Sequence, residues 1–183
     1  MSNIIFYTFL DSFLGTIGLA SSSSGVVYVD MGIKKRAFLC KLKQKFPTCK
    51  LIKSEKKNSK AICELNSYLK GNMKSFESKL DLKGPPKSCR AGPPKSRRAG
   101  TPFQIKVWNC LRKIPYGKMY SYKFIACKIA TCSHSRAVGN AVAKNPVAIF
   151  IPCHRVINSN GDLGNYGPGK NFKKMLLKIE KAI

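Results

Sequence analysis

Apolar and polar positions change their period twice along this chain. Residues 4–9 and 16–20 are β-rich runs, a Ser/Gly stretch follows, and residues 26–30 form a third run, so the pattern predicts a hairpin extended by one strand. From Ile33 to Lys45 the spacing becomes helical, with Ile33, Ala37, Phe38 and Leu42 on one stripe of a basic helix. A second helix is predicted over residues 60–69 and ends at Gly71. This half reads as a small α+β unit and presents no evident chemistry. Its Lys-rich stretch from 34 to 60 reads as a solvated face that DNA could use.

The helical period returns at Phe103, Val107, Leu111 and Ile114, and Pro115-Tyr116-Gly117 stops it. Ser121 is a cap for a helix over residues 122–130, and Ser133 or Ser135 opens another that runs through Ala143. Two short helices joined by a tight turn predict a helix-turn-helix, with a generic two-helix packing motif as the other reading. The second helix carries Arg136 together with Ala137, Gly139 and Ala141, small residues that let a helix approach a backbone closely. The apolar run 147–151 predicts a buried strand. A last helix over 171–181 directs Met175, Leu176 and Ile179 inward and ends near Glu180.

Between the halves, Gly84-Pro85-Pro86-Lys87-Ser88-Cys89-Arg90-Ala91 is repeated as Gly92-Pro93-Pro94-Lys95-Ser96-Arg97-Arg98-Ala99. A tandem octad of this composition cannot build a core, and two copies are too few for a solenoid. It predicts a solvated linker at 83–100 between domains at 1–82 and 101–183.

Composition narrows the partners. The 183 residues hold 34 Lys and Arg against 8 Asp and Glu, a formal net charge of +26. Solubility does not require so large an excess, so a polyanion is the expected partner, nucleic acid before an anionic membrane surface. A Lys-rich compositional bias would not explain the scarcity of acids. No basic segment precedes the apolar N-terminal runs, Asp11 interrupts them and no A-x-A site follows, so neither a signal peptide nor a membrane span is expected. The eight cysteines form no C-x-x-C pair. Cys127, Cys132 and His134 lie close in sequence but lack a fourth ligand, so no metal is expected. Irregular spacing favours reduced thiols in a cytoplasm.

The chemistry concentrates in Pro152-Cys153-His154-Arg155-Val156, between the apolar run and a Gly-rich loop over 161–169. The thiolate is the reactive form of cysteine, and a neighbouring imidazole lowers the thiol pKa or takes its proton. A free cysteine is also commonly a small buried hydrophobe. Gly164-Asn165-Tyr166-Gly167-Pro168-Gly169-Lys170-Asn171 imitates a phosphate-binding loop, but Asn171 stands where Ser or Thr would hold Mg²⁺, and no aspartate partner is placed.

Phe103-Gln104, Val107-Trp108, Ile114-Pro115-Tyr116-Gly117, Ser121-Tyr122, Arg136-Ala137-Val138-Gly139, Asn145-Pro146, Ile151-Pro152-Cys153-His154-Arg155-Val156 and Gly164-Asn165-Tyr166-Gly167 occur in the order found in one family. In these residues the chain resembles the methylated-DNA–protein-cysteine methyltransferases, the O6-alkylguanine-DNA alkyltransferases. The octads look like an insertion in that pattern. The resemblance implies an N-terminal ribonuclease-H-like domain and a mainly helical C-terminal domain of winged helix-turn-helix type. It implies a suicide reaction in which the alkyl group on O6 of a damaged guanine, or on O4 of a thymine, moves to Cys153. His154 would take the thiol proton through a water, with Glu180 orienting the imidazole and Asn145 bracing the turns around the nucleophile. The target nucleotide must leave the stack to reach a pocket. Arg136 would fill the gap from the minor groove, where Ala137 and Gly139 approach the backbone. Tyr122 would crowd the 3′ phosphate and donate to the base. Val156, Gly164, Tyr166 and Gly167 would line the base pocket. The implied partner is double-stranded DNA bearing such a lesion, bound by a cytoplasmic monomer with no cofactor and no membrane.

Three rival readings account for less of the pattern. A non-catalytic relative that senses damage would replace the cysteine. A plain helix-turn-helix regulator would not explain Cys153-His154. A cysteine hydrolase needs an oxyanion hole and a distant His with Asn or Asp, for which no pattern is seen.

Overall fold

The computed structural model describes residues 4–82 and 100–183, so the repeat linker predicted from residue 83 falls almost wholly outside the described residues. The chain divides into two compact units. One takes the residues through Asn66 and resumes at Glu77; the other combines Ser67–Phe76 with Thr101–Ile183.

In the first unit, β1 (Ile4–Ser12), β2 (Gly15–Ser22) and β3 (Gly25–Met31) form the expected antiparallel meander. After α1 (Lys35–Lys45), β4 (Lys50–Lys53) joins parallel to β1, and the sheet order becomes β3-β2-β1-β4. Strand β4 reads Lys-Leu-Ile-Lys and is too short to register as a period. Phe38 and Leu42 of α1, with Phe46, pack onto Ile5, Ala20, Val27 and Tyr28. A Cβ on Gly18 would lie 2.4 Å from the Phe38 ring, so the missing side chain lets the ring rest on the sheet. Ala37, expected on this stripe, is exposed. Helix α2 (Glu55–Leu69) starts a turn earlier than its apolar residues suggest. Ser54 Oγ accepts from Lys57 N at 3.3 Å and Glu55 occupies the first turn, an N-terminal signal hidden in a Lys-rich stretch.

In the second unit, α3 (Pro102–Leu111) opens with a capping box. Thr101 and Gln104 satisfy each other's backbone N–H, and Pro102 stands where its missing donor costs nothing. Trp108, buried on α3, donates Nε1–H to Ala141 O at 2.9 Å. The helix-turn-helix is formed by α4 (Tyr122–Ile129), capped by Ser121, and α5 (Ser135–Ala143). Helix α5 opens at Ser135, one of the two expected starts, but its N-cap is His134 and neither serine caps it. A single 3₁₀ turn, Cys132–His134, leads into it, and Ser135 Oγ donates backward to Cys132 O at 2.8 Å. Cys127 and Cys132 form a disulfide, which corrects the expectation of reduced thiols for this pair, whereas Cys40, Cys49, Cys63, Cys110 and Cys153 are free.

The run 147–151 is buried as expected, but it is a tight turn and not a strand. Ile151 N donates to Val147 O at 3.0 Å, and Ile149 takes φ 74°, a value strained for a β-branched residue. A one-turn 3₁₀ segment, Cys153–Arg155, follows. Then β6 (Val156–Ile157) pairs in parallel with β5 (Tyr120–Ser121), so the start of α4 lies beside the cysteine turn. Helix α6 (Lys170–Ile179) buries Lys173, Leu176 and Leu177, while Met175 and Ile179 are only half-buried. The inward stripe is therefore rotated from the expected one, toward a lysine that periodicity would assign to solvent.

Candidate active site

Asn145 closes the turn that presents Cys153. Its Oδ1 accepts from Val147 N at 3.0 Å, and its Nδ2 donates to Ile151 O at 2.9 Å. One carboxamide thus clamps both ends of the strained segment around Ile149. The same Nδ2 lies 3.0 Å from Cys153 Sγ. Cys153 is 5% exposed. Burial pushes its thiol above the usual value, against the opposing pull of Asn145 and Lys173. The resting group is a neutral thiol, so proximity of His154 alone does not make a thiolate; a base must act.

His154 can be that base. It is fully buried, and burial holds its imidazole below the usual value despite the attraction of Glu180, so it is neutral at neutral pH. Nε2 lies 2.8 Å from Glu180 Oε1. An ionised carboxylate only accepts, so Nε2 carries the hydrogen and Nδ1 carries the lone pair. That Nδ1 is buried with no hydrogen-bond partner among the described residues.

Glu180 caps α6 and is 2% exposed, a position where a terminal-helix glutamate would ordinarily be solvated. Arg155 donates to it through Nε, at 2.9 Å to Oε2, and Nη2, at 2.9 Å to Oε1. Gly117 N donates to Oε2 at 3.1 Å, and Tyr68 Oη to Oε1 at 2.5 Å. Burial would raise this carboxyl, but the hydrogen bonds from His154 and Arg155 outweigh it and hold it at about 2. Gly117 has φ 72°, and a Cβ there would stand 3.0 Å from the backbone carbonyl oxygen of Glu180, so a glycine lets the end of α6 approach this turn. Arg155 anchors back through Nη1 to Ile114 O at 2.5 Å.

A second buried charge faces the sulfur side. Lys173 is fully buried, donates through Nζ to Val156 O and Leu163 O, and is lowered by burial to about 8. Its field favours ionised Cys153. Proton transfer from Cys153 to His154 would create a thiolate and an imidazolium, and each meets a charge of opposite sign, Lys173 and Glu180 respectively.

Cys153 opens onto a cavity of about 350 Å³ bordered by Tyr122, Gly139, Val142 and Asn145 on one side and by Asn165, Tyr166 and Gly167 on the other. That is within the range of pockets that enclose a small planar ligand. Burial and the neighbouring Cys153 raise the Tyr122 phenol, so its hydroxyl stays a donor. The Tyr166 hydroxyl is buried beside the Cys153 thiol, and burial with that neighbour raises its phenol well above the usual value. A Cβ on Gly167 would meet nothing within 4 Å. Arg136 is exposed on α5, with Ala137 and Gly139 half-buried on the same helix. Two expected lining residues are elsewhere. Val156 is buried with its carbonyl turned to Lys173, and Gly164, at φ 68°, packs against the Asn158 side chain.

Sequence reasoning found Cys153, His154, Glu180, Asn145 and Tyr122, which this unit brings together. It missed Tyr68, Gly117 and Lys173, and it gave Arg155 no role. The expectation of no chemistry before residue 82 is corrected by Tyr68, whose hydroxyl lies on the site's carboxylate.

Residues 102–182 match the family model described as the 6-O-methylguanine DNA methyltransferase DNA-binding domain. The chain is 36% identical to a methylated-DNA–protein-cysteine methyltransferase of Methanosarcina acetivorans over 96% of its length and 98% of the relative's. It is 37% identical to an inducible protein of the same name from Bacillus subtilis, over 89% of this chain and 83% of that one. Among solved structures, Mycobacterium tuberculosis OGT in complex with DNA superimposes with a TM-score of 0.75 at 34% identity, covering 97% of this chain and 93% of that one.

Proposed function

The chain belongs to the methylated-DNA–protein-cysteine methyltransferase family, and from that premise we propose that it repairs O6-alkylguanine in double-stranded DNA by moving the alkyl group once and irreversibly onto Cys153. The observation that carries this reading is a buried neutral thiol opening onto a base-sized cavity, beside a neutral imidazole whose Nδ1 is unpartnered and whose Nε2 is held by Glu180.

In the reaction, His154 removes the thiol proton through Nδ1, by way of a water in this family, and the thiolate attacks the alkyl carbon. The S–C bond forms as the C–O6 bond breaks, and the electron pair left on O6 spreads into the purine. Tyr122 donates to the ring as that charge develops. The sum leaves the alkyl group on sulfur and the thiol proton on guanine. The thioether has no leaving path, so each molecule acts once.

Access requires flipping of the nucleotide. Arg136, exposed on α5, fills the vacated stack, while Ala137 and Gly139 allow the helix to approach the minor groove. The excess of cations supplies phosphate contacts without sequence preference. We propose O4-alkylthymine as a second substrate, action as a monomer and a cytoplasmic location. Among the described residues no helix is long and apolar enough to cross a membrane.

Intact-protein and peptide mass spectrometry after incubation with an O6-methylguanine duplex tests the proposal. One methyl on Cys153, stoichiometric and without turnover, is expected; tight binding with no mass change would replace it with a damage sensor. Cys153→Ala should lose transfer and keep binding to damaged DNA.

A further inference from the structure

Tyr68 is the residue that joins this site from farthest away in sequence, at a separation of 86 from His154 and 112 from Glu180. It lies in the last turn of α2, within the Ser67–Phe76 stretch that clusters with the second unit. Its side chain is fully buried, and its ring is held by Phe76 at 5.2 Å and by the edge of Tyr116 at 6.1 Å.

The neighbouring Tyr116 ends its hydroxyl on a backbone carbonyl, Ile179 O, at 2.8 Å. Tyr68 does otherwise. Its Oη lies 2.5 Å from Glu180 Oε1 and 3.2 Å from His154 Nε2. Oη, Oε1 and Nε2 therefore close a triangle in which the phenol donates its one hydrogen to the carboxylate. Its lone pairs face the Nε2–H that points toward the same corner.

We propose that Tyr68 is a positioning residue that sets the basicity of His154 by sharing the Glu180 oxygen on which the imidazole rests, an inference that rests on the alkyl-transfer reading of the site. A hydrogen bond to an ionised acceptor is stronger than one to a neutral acceptor. The phenol, a further strong donor on Oε1 beside Arg155, therefore draws more density away from the oxygen that would otherwise favour imidazolium. Burial and the adjacent Glu180 raise the phenol well above its usual value, so it stays a donor throughout the working pH range. The charged and titratable groups facing His154 are Tyr68 from α2, Glu180 at the end of α6, Arg155 and Cys153 from the cysteine turn, and Lys173 from α6. Of these, Tyr68 is the one that can be made apolar with the loss of a single oxygen.

The test compares wild type with Tyr68→Phe by two readouts. The first is the single-turnover rate of transfer from free O6-benzylguanine across pH. The second is the imidazole titration by NMR, which is tractable because the chain has only two histidines. Without the competing donor, His154 should titrate at higher pH, and the acid limb of the rate profile should move with it. At the foot of that limb the rate should fall on the order of tenfold, the scale of one hydrogen bond to a charged group. Site-specific 3-fluorotyrosine at position 68, a stronger donor of nearly the same shape, should move both in the opposite direction. This second variant keeps the proposal testable if Tyr68→Phe does not fold. Titrations that superimpose on wild type, whatever happens to the rate, overturn the inference and leave Tyr68 a packing residue. Absence of Cys153 alkylation in wild type would instead overturn the function, and the NMR titration would still report on the triangle.

Discussion

The amide nitrogen of Asn145 sits 3.0 Å from the sulfur of Cys153 while donating to Ile151 O, so one side chain shapes the nucleophile's turn and touches the nucleophile. Asn145→Ala removes the clamp from a segment that holds Ile149 at φ 74°. It should cost about 1–3 kcal/mol of stability, the scale of unsatisfied buried backbone groups, by urea denaturation. Transfer from free O6-benzylguanine should slow. Asn145→Asp should be slower still, because a carboxylate beside the sulfur raises the thiol further.

Glu180 ties acid stability to the site. Its folded-state value of about 2 lies below the ordinary 4.5, so its contribution is complete above about 4.5 and is lost as pH falls toward 2. His154 adds to the same limb from higher pH. Its folded-state value is lowered from 6.5, so the stability gained by keeping it neutral declines once pH drops below that point. Urea midpoints should therefore fall from about pH 6.5 downward. Glu180→Gln should abolish the portion below about 4.5. At neutral pH it should cost on the order of 3–5 kcal/mol, because Arg155 is left buried without its counterion.

Arg136 is exposed and makes no contact in the catalytic cluster, so Arg136→Ala should leave thermal stability and transfer from free O6-benzylguanine unchanged. Repair of a methylated duplex should fall by a large factor. Equal loss on both substrates would remove Arg136 from base flipping.

The Cys127–Cys132 bridge closes a loop of only five residues' separation at the turn of the helix-turn-helix. A loop so short removes little chain entropy, about 2 kcal/mol at most. Mild reductant should release two thiols, counted by alkylation mass spectrometry, and lower the melting temperature by a few degrees. Cys127→Ser should reproduce the shift without reductant.

What the sequence made legible was local. The cap at Ser121 and the Cys153-His154 pair act over a few residues, and each stands where its pattern placed it; the helix expected through Ile114 ends earlier, at Leu111. Residues 147–151 misled because a short apolar run has the same composition in a buried strand as in a buried turn, and only the Asn145 clamp separates the two. Lys173 was hidden because a lysine on an amphipathic helix normally marks solvent; its ammonium here ends on two backbone carbonyls that come together only in the fold. Tyr68 was hidden by distance along the chain. Strand β4 was too short and too flanked by lysine to show a period.

The raised thiol of Cys153 bears on how such a molecule ages. A protein consumed by a single reaction must wait intact until its lesion appears, and a standing thiolate would meet peroxide and stray electrophiles first. Cys40 and Cys63 are exposed, whereas Cys153 is sheltered and protonated until a substrate occupies the cavity. The site trades resting reactivity for shelf life, and chemical damage should accumulate on the surface cysteines before it reaches the one that carries the repair.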